Sequence, residues 1–251
     1  MTYFNANRKI GSIGDPSNIT KWQKKIGDKY YTICLPAKDT GVMFEFYRNK
    51  EFFENLLKKR LEIDKPYIDI RYIKYDGELP NNYVLMFIGA GDSCRKWSVQ
   101  KLVEVAKYIN NNYDLNIVLA GGIDDIVDAN TFDELYDGKI FNLVGKTSLM
   151  ELLKVISKGK LLISNETSAP HFGVALANTS ILVISNGNYF GRFAPYPKEI
   201  SQNYHVIYHP EVEKYLDNYK KLSNSFSCGS RLDINEISIE SVIKKIDEVL
   251  K

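Results

Sequence analysis

Histidine and cysteine are scarce in this chain of 251 residues. Each occurs three times, and Cys34, Cys94 and Cys228 lie far apart. No His, Cys, Asp or Glu set has the spacing of a metal site. An odd number of isolated thiols argues against a disulfide scaffold and suits a reducing cytoplasm. No apolar run approaches the ~20 residues a membrane helix needs. The opening, MTYFNANRKI, is polar and lacks the apolar core of a signal peptide. Internal repeats and low-complexity tracts are absent. Net charge is only +2, from 33 Lys+Arg against 31 Asp+Glu. That balance does not suggest a nucleic-acid partner.

What is present is an ordinary globular composition, 44% apolar, in a chain long enough to bury a sizeable core. The length allows one large domain, or one domain and part of another. Charge is uneven along it: residues 1–75 carry 15 Lys+Arg and 9 Asp+Glu, net +6, and the remainder 18 and 22, net −4. A solvated basic face is the plain explanation. The sharper one is a first third that faces an anionic partner, such as a phosphorylated acceptor or a membrane surface.

Residues 1–80 are irregular. Arg8 to Asp15 reads as a short strand running into a turn, and Tyr30 to Leu35 is rich in β-formers. Asn49 to Leu61 has helical periodicity through Phe52, Phe53, Leu56, Leu57 and Leu61. Lys65-Pro66 and Asp76 to Asn82 look like linkers. From residue 83 the pattern is regular. Strands are expected at Val84–Ile88, Leu115–Ala120, Ile140–Val144, Lys160–Ser164, Ser180–Ser185 and Tyr204–His209. Helices are expected from Ser98, with Trp97 stapling onto Leu102, and over Asp124–Tyr136. Further helices follow at Ser148–Lys158, opened by a capping box, from Thr167 or Ser168, and over Ile239–Leu250.

Such alternation predicts right-handed βαβ units and a Rossmann-like parallel sheet with helices on both faces. In the common order 3-2-1-4-5-6, strands one and four are neighbours where the order reverses, and ligands bind at their carboxyl ends. Those ends are here Gly89 to Trp97 and Asn165 to His171. Facing each other, the two segments would form a diphosphate pocket.

Each element of that pocket has a plain alternative. Gly89-x-Gly91 lacks the third glycine of a dinucleotide fingerprint, because Cys94 stands there, and it is no Walker loop. Its interest lies in Ser93, Arg95 and Lys96, which favour a phosphate-bearing ligand; otherwise the two cations are solvated surface charge. Thr167 and Ser168 open a helix whose N–H groups point outward at the positive end of its dipole, a natural phosphate seat. His171 in that first turn could donate to a leaving phosphate; otherwise it is structural. The Glu166 carboxylate would repel a diphosphate, so holding a sugar hydroxyl, or fixing the loop by accepting backbone N–H bonds, suits it better. Gly122 and Asp124 end the second strand, where an acid accepts from a ribose or caps the next helix. The loop Gly187–Pro197 is aromatic and turn-rich: either a packed surface loop or a platform for a base or sugar ring, with Arg192 for charge.

Together these loops resemble the donor-binding half of glycosyltransferase family 9, the heptosyltransferase-like enzymes of GT-B fold. The shared features are the Gly-Ala turn with a basic residue before Trp97, the Gly121-Gly122 exit, Gly145-Lys146-Thr147-Ser148-Leu149, and Glu166-Thr167-Ser168-Ala169-Pro170-His171. In the last, Glu and Ser replace the commoner Asp and Gly. The resemblance covers residues 83–251. It implies a GT-B C-terminal domain over 81–251 and a truncated N-terminal acceptor-domain remnant over 1–80. It also implies Lys146 beside Gly122 and Asp124 at the ribose and base. The donor would be a nucleoside-diphosphate sugar, with no cofactor and no metal. The acceptor would be a glycolipid or surface polysaccharide of lipopolysaccharide type. The implied location is cytoplasmic, with peripheral contact at the inner membrane an open alternative. A catalytically inert nucleotide-sugar-binding module and a nicotinamide oxidoreductase are the competing readings.

Overall fold

The computed structural model describes residues 6–13, 20–38 and 41–251. Its first strands, β1 (Ile10–Ser12) and β2 (Ile33–Leu35), pair in parallel as a small sheet of their own, with α1 (Lys21–Asp28) between them. The strand expected over Arg8 to Asp15 is thus three residues long, and Gly14 and Asp15 lie outside the described residues. Helix α2 spans Glu45–Leu57. It starts earlier than the apolar period suggested and stops where Lys58 takes a left-handed conformation (φ 53°).

The main sheet has six parallel strands: β3 (Tyr83–Phe87), β4 (Asn116–Ala120), β5 (Ile140–Asn142), β6 (Leu161–Asn165), β7 (Ser180–Ser185) and β8 (Tyr204–Tyr208). Their order is β5-β4-β3-β6-β7-β8, the doubly wound arrangement expected from the sequence. Near-continuous apolar runs suit strands covered on both faces. Alternate residues then enter two cores. Val84, Met86, Ile117, Leu119, Ile163 and Leu182 face a core shared with α3 (Val99–Tyr113), α4 (Ile126–Leu135) and α9 (Ile239–Leu250). Leu85, Val118, Leu162, Ile181 and Val183 face the other, with α5 (Leu149–Lys158) and α6 (Ser168–Leu176).

That second core also takes in Phe44 and Ile73, with Phe46, Tyr47, Ile68 and Ile70 packed against it. The chain from Phe44 onward therefore shares a core with the sheet, across the boundary expected at residues 80 and 81. Two short helices that periodicity did not indicate, α7 (Pro210–Glu213) and α8 (Tyr219–Phe226), follow β8. The first is only four residues long and buries Val212; the second buries Leu222, with Phe226 packed beside it. Among the described residues no helix is long and apolar enough to cross a membrane.

Candidate functional site

The reversal of strand order falls between β3 and β6, which are hydrogen-bonded neighbours. One side chain joins their carboxyl ends. Asn165, the last residue of β6, is buried. Its amide donates to the carbonyls of Ile88 (3.0 Å) and Gly89 (3.3 Å), and its Oδ1 accepts from the Trp97 N–H (3.0 Å). It thereby holds both ends of the loop from Gly89 to Trp97. Within the loop, Asp92 accepts from the Cys94 N–H, and Ser93–Arg95 form a 3-10 turn. Arg95 Nη1 then donates to the Glu166 carbonyl (3.2 Å). The two segments expected to close over a ligand thus meet.

Lys96 has a different placement from Arg95. Its ammonium lies 2.6 Å from Asp125 Oδ1 and 2.8 Å from Asp128 Oδ2. Desolvation pushes its pKa down, but the two carboxylates outweigh that and raise it. Asp125 is itself buried, and its Oδ2 accepts from the Gly122 N–H (2.9 Å). Of the acid pair ending the second strand, Asp125 does the structural work and Asp124 is left exposed. The glycines are explained too. A Cβ at Gly89 would stand 2.2 Å from Asp125 Oδ2, and one at Gly121 would stand 2.9 Å away. Gly89→Ala is expected to destabilise the fold by about 1–3 kcal/mol, as overpacking does. Urea denaturation should show Asp125→Ala absorbing part of that cost in the double variant. Full additivity would mean that the carboxylate is not what the glycine avoids.

At the other lip, α6 begins at Ser168 with Thr167 as N-cap in extended conformation (φ −148°). The Thr167 side chain makes no capping bond, and no acid stands in the first turn. The leading N–H groups of this helix therefore lack intrahelical partners, as at any helix start. Ser168 is exposed and Thr167 half-buried. His171, half-buried, has Nδ1 2.9 Å from the Tyr196 hydroxyl, and burial lowers its pKa, which favours the neutral ring.

Glu166 is 5% exposed. Its Oε2 accepts from Ser185 Oγ at 2.5 Å, while Oε1 is buried with no hydrogen-bond partner. Burial raises its pKa to about 7, against the lowering effects of Ser185 and Arg95. A protonated carboxyl removes the repulsion that a charged Glu166 would exert on a phosphate.

Of the remaining expected residues, Gly91 lies beside the Arg95 guanidinium. Gly122 and Asp124 stand exposed past β4, and Lys146, past β5, donates to the Asn142 carbonyl (2.9 Å). Gly145 needs its φ of +69° to make this exit, where its N–H reaches Gly121 O. Arg192 faces inward. Its guanidinium binds Glu45 Oε1 (2.9 Å) and its carbonyl accepts from the Glu45 N–H (2.9 Å), so it clamps the loop after β7 to the start of α2. Asn165, Asp125, Ser185 and Tyr196 were not singled out from sequence. A lone Asn at a strand end or an Asp in an Asp-Asp pair carries no signal until its partners are brought in by the fold. Among the described residues no group of three or more His, Cys, Asp or Glu could hold a metal ion.

The family model for glycosyltransferase family 9 (heptosyltransferase) matches residues 43–222. No curated protein matches the chain. Among solved structures, the glycosyl transferase family 9 protein from Veillonella parvula DSM 2008 has a TM-score of 0.67 at 19% identity. The match covers 90% of this chain and 65% of that one. E. coli heptosyltransferase WaaC with ADP-2-deoxy-2-fluoro heptose gives 0.64 at 16% identity, covering 96% and 65%. E. coli ADP-heptose lps heptosyltransferase II gives 0.52 at 17%, covering 81% and 51%. At these identities the likeness is one of fold, that of the GT-B glycosyltransferases. The chain spans 65% of the length of the Veillonella protein and of WaaC, and 51% of the length of heptosyltransferase II.

Proposed function

The chain belongs to glycosyltransferase family 9 (heptosyltransferase), and from that premise we propose that it transfers a sugar from a nucleoside-diphosphate sugar to a lipopolysaccharide-type or surface-polysaccharide acceptor. The observation that carries this reading is the contact of Arg95 with the Glu166 carbonyl across the β3–β6 crossover. It sets a guanidinium beside a helix start whose N-cap hydroxyl is uncommitted.

In the proposed reaction the acceptor oxygen bonds to the anomeric carbon and gives up its proton to solvent, while the nucleoside diphosphate leaves with the electron pair of the broken C–O bond, with inversion and without a metal. Negative charge grows on the leaving phosphate. The first N–H groups of α6, the hydroxyls of Thr167, Ser168 and Ser93, and the Arg95 fork are the donors that would stabilise it. Gly89 and Gly91 let the loop backbone approach. Lys96 supports the loop from behind through Asp125 and Asp128, and its charge adds to the field at longer range. His171, neutral and oriented by Tyr196, is the candidate hydrogen-bond donor to the leaving group. Glu166, whose pKa burial raises to about 7, would offer its partnerless oxygen to a sugar hydroxyl. Gly122, Asp124 and Lys146 remain the candidates for ribose and base.

A thermal-shift screen with ADP, GDP, UDP, their sugar conjugates and NAD tests the ligand class. One nucleoside diphosphate should raise the melting temperature, and NAD should not. A response to NAD alone would return the site to an oxidoreductase. Donor hydrolysis by the same protein then separates an active transferase from a module that only binds.

A further inference from the structure

Resting on the reading just proposed, we propose that Tyr189 and Phe193, on the loop after β7, form a platform for the sugar ring of the donor. The loop's residues divide between an inward set and an outward pair. Phe190 is buried against Tyr208 and Tyr219 (ring centroids 5.5 and 5.3 Å), Arg192 is clamped to Glu45, and Ala194 is buried. The Gly191 N–H closes the turn onto the Ala194 carbonyl at 2.7 Å. Against this anchored base Tyr189 and Phe193 stay half-exposed, with ring planes at 87° and centroids 5.7 Å apart. They form a right-angled aromatic corner. Tyr189 holds φ at +53°, a conformation uncommon outside glycine and one that concentrates at functional sites. Its hydroxyl makes no hydrogen bond among the described residues.

The sheet order says which part of the donor this corner meets. The candidate nucleoside residues follow β4 and β5, on one side of the β3–β6 crossover. The aromatic loop follows β7, on the other. A nucleotide sugar is linear: nucleoside, diphosphate, sugar. With the diphosphate at the crossover and the nucleoside toward β4, the sugar extends toward β7. Strands lie about 4.8 Å apart, so that loop starts within one or two spacings of the phosphate seat. The link is continuous, because the Phe193 ring lies 6.2 Å from that of His171 in the first turn of α6. A sugar presents C–H groups on its ring faces and hydroxyls at its rim. An aromatic face takes the first, and the Tyr189 hydroxyl is available for the second.

The test is calorimetry on Phe193→Leu, Tyr189→Leu and Phe193→Trp with ADP, GDP and UDP, each with and without an attached hexose or heptose. For the nucleotide that binds, the leucine variants should keep the wild-type affinity for the bare diphosphate. They should lose about tenfold in affinity for the sugar-bearing form, the scale of a lost aromatic contact. Phe193→Trp, which keeps an aromatic face, should retain it. The bare diphosphate thus serves as the folding control in every variant. Equal losses for both ligands would assign the loop to the base or the phosphates and overturn the platform, as would no loss for either. Failure of the wild type to bind any of these ligands would instead remove the proposed function, and the platform with it.

Discussion

Replacing Arg95 by alanine is expected to weaken nucleoside-diphosphate binding by about 10–100-fold, the worth of one or two charge-assisted hydrogen bonds. It should also slow transfer by roughly 10²–10³-fold, because the same donor is asked to do more as charge develops on the leaving phosphate. Among the described residues the guanidinium makes one hydrogen bond, to the Glu166 carbonyl, and the rest of its fork is available to a ligand. Arg95→Lys should recover only part of the loss, since an ammonium cannot make the paired contact. Lys96→Ala should behave differently. Its ammonium is engaged by Asp125 and Asp128, so its removal leaves the buried Asp125 carboxylate short of a partner. The main cost should appear as stability, with a smaller loss of affinity as the loop loosens. Isothermal titration beside urea denaturation separates the two. Unchanged diphosphate affinity in Arg95→Ala would sink the assignment of this loop as the phosphate seat.

The second large effect concerns Glu166. Burial raises its folded pKa to about 7 from the ordinary 4.5. The folded state therefore holds a proton that the unfolded chain has released, and between those values the native form binds more protons. By linkage, this group's contribution to stability is complete below pH about 4.5. It is lost as pH rises through about 7, by on the order of 3 kcal/mol. Glu166→Gln, which mimics the neutral acid, should abolish that fall. The variant should match the wild type near pH 5 and exceed it near pH 8 in chemical denaturation. His171 carries the opposite sign, since burial lowers its pKa and its contribution to stability rises with pH. The difference between wild type and variant isolates Glu166. Donor binding should show the same proton, because ionising Glu166 sets a negative charge beside the phosphate seat. Affinity should fall above pH about 7 in the wild type and less so in the variant. The groups whose charge or titration interacts directly with Glu166 are Arg95 from the first loop and Tyr204 and Tyr208 from β8. Both tyrosines are pushed well above 10 by burial, so they stay neutral across this window. Parallel pH profiles for the two proteins would show that Glu166 is ionised throughout.

The chain from Tyr83 onward is legible because each strand there is a nearly unbroken apolar run and most of its helices announce their starts. Ser98 and Ser148 cap α3 and α5 as their positions suggest, the latter with Glu151 in a full capping box. The described residues before Tyr83 are harder, because much of their burial is tertiary. Phe44 and Ile73 are covered by the sheet's own core, not by a periodic partner nearby in the chain. The site divides similarly. That Gly89–Trp97 and Asn165–His171 would meet followed from strand order alone, since consecutive right-handed crossovers leave few arrangements. The roles within the site did not. In sequence Arg95 and Lys96 are equivalent cations and Asp124 and Asp125 equivalent acids. The fold separates both pairs by turning Lys96 onto Asp125, under a glycine that leaves room for the carboxylate.

By itself, then, the amino-acid sequence determined the parallel sheet, its order, the crossover and the family motif. Hydrophobic period, caps and glycine exits are local properties that survive without knowledge of the distant chain. Only the tertiary structure decided that Lys96, and not Arg95, is the cation turned onto Asp125, that Arg192 is a clamp, and that burial raises the pKa of Glu166 to about 7. Those outcomes depend on burial and on partners between about 20 and 150 residues away in the chain, and the cost of a desolvated charge is set by what surrounds it in space.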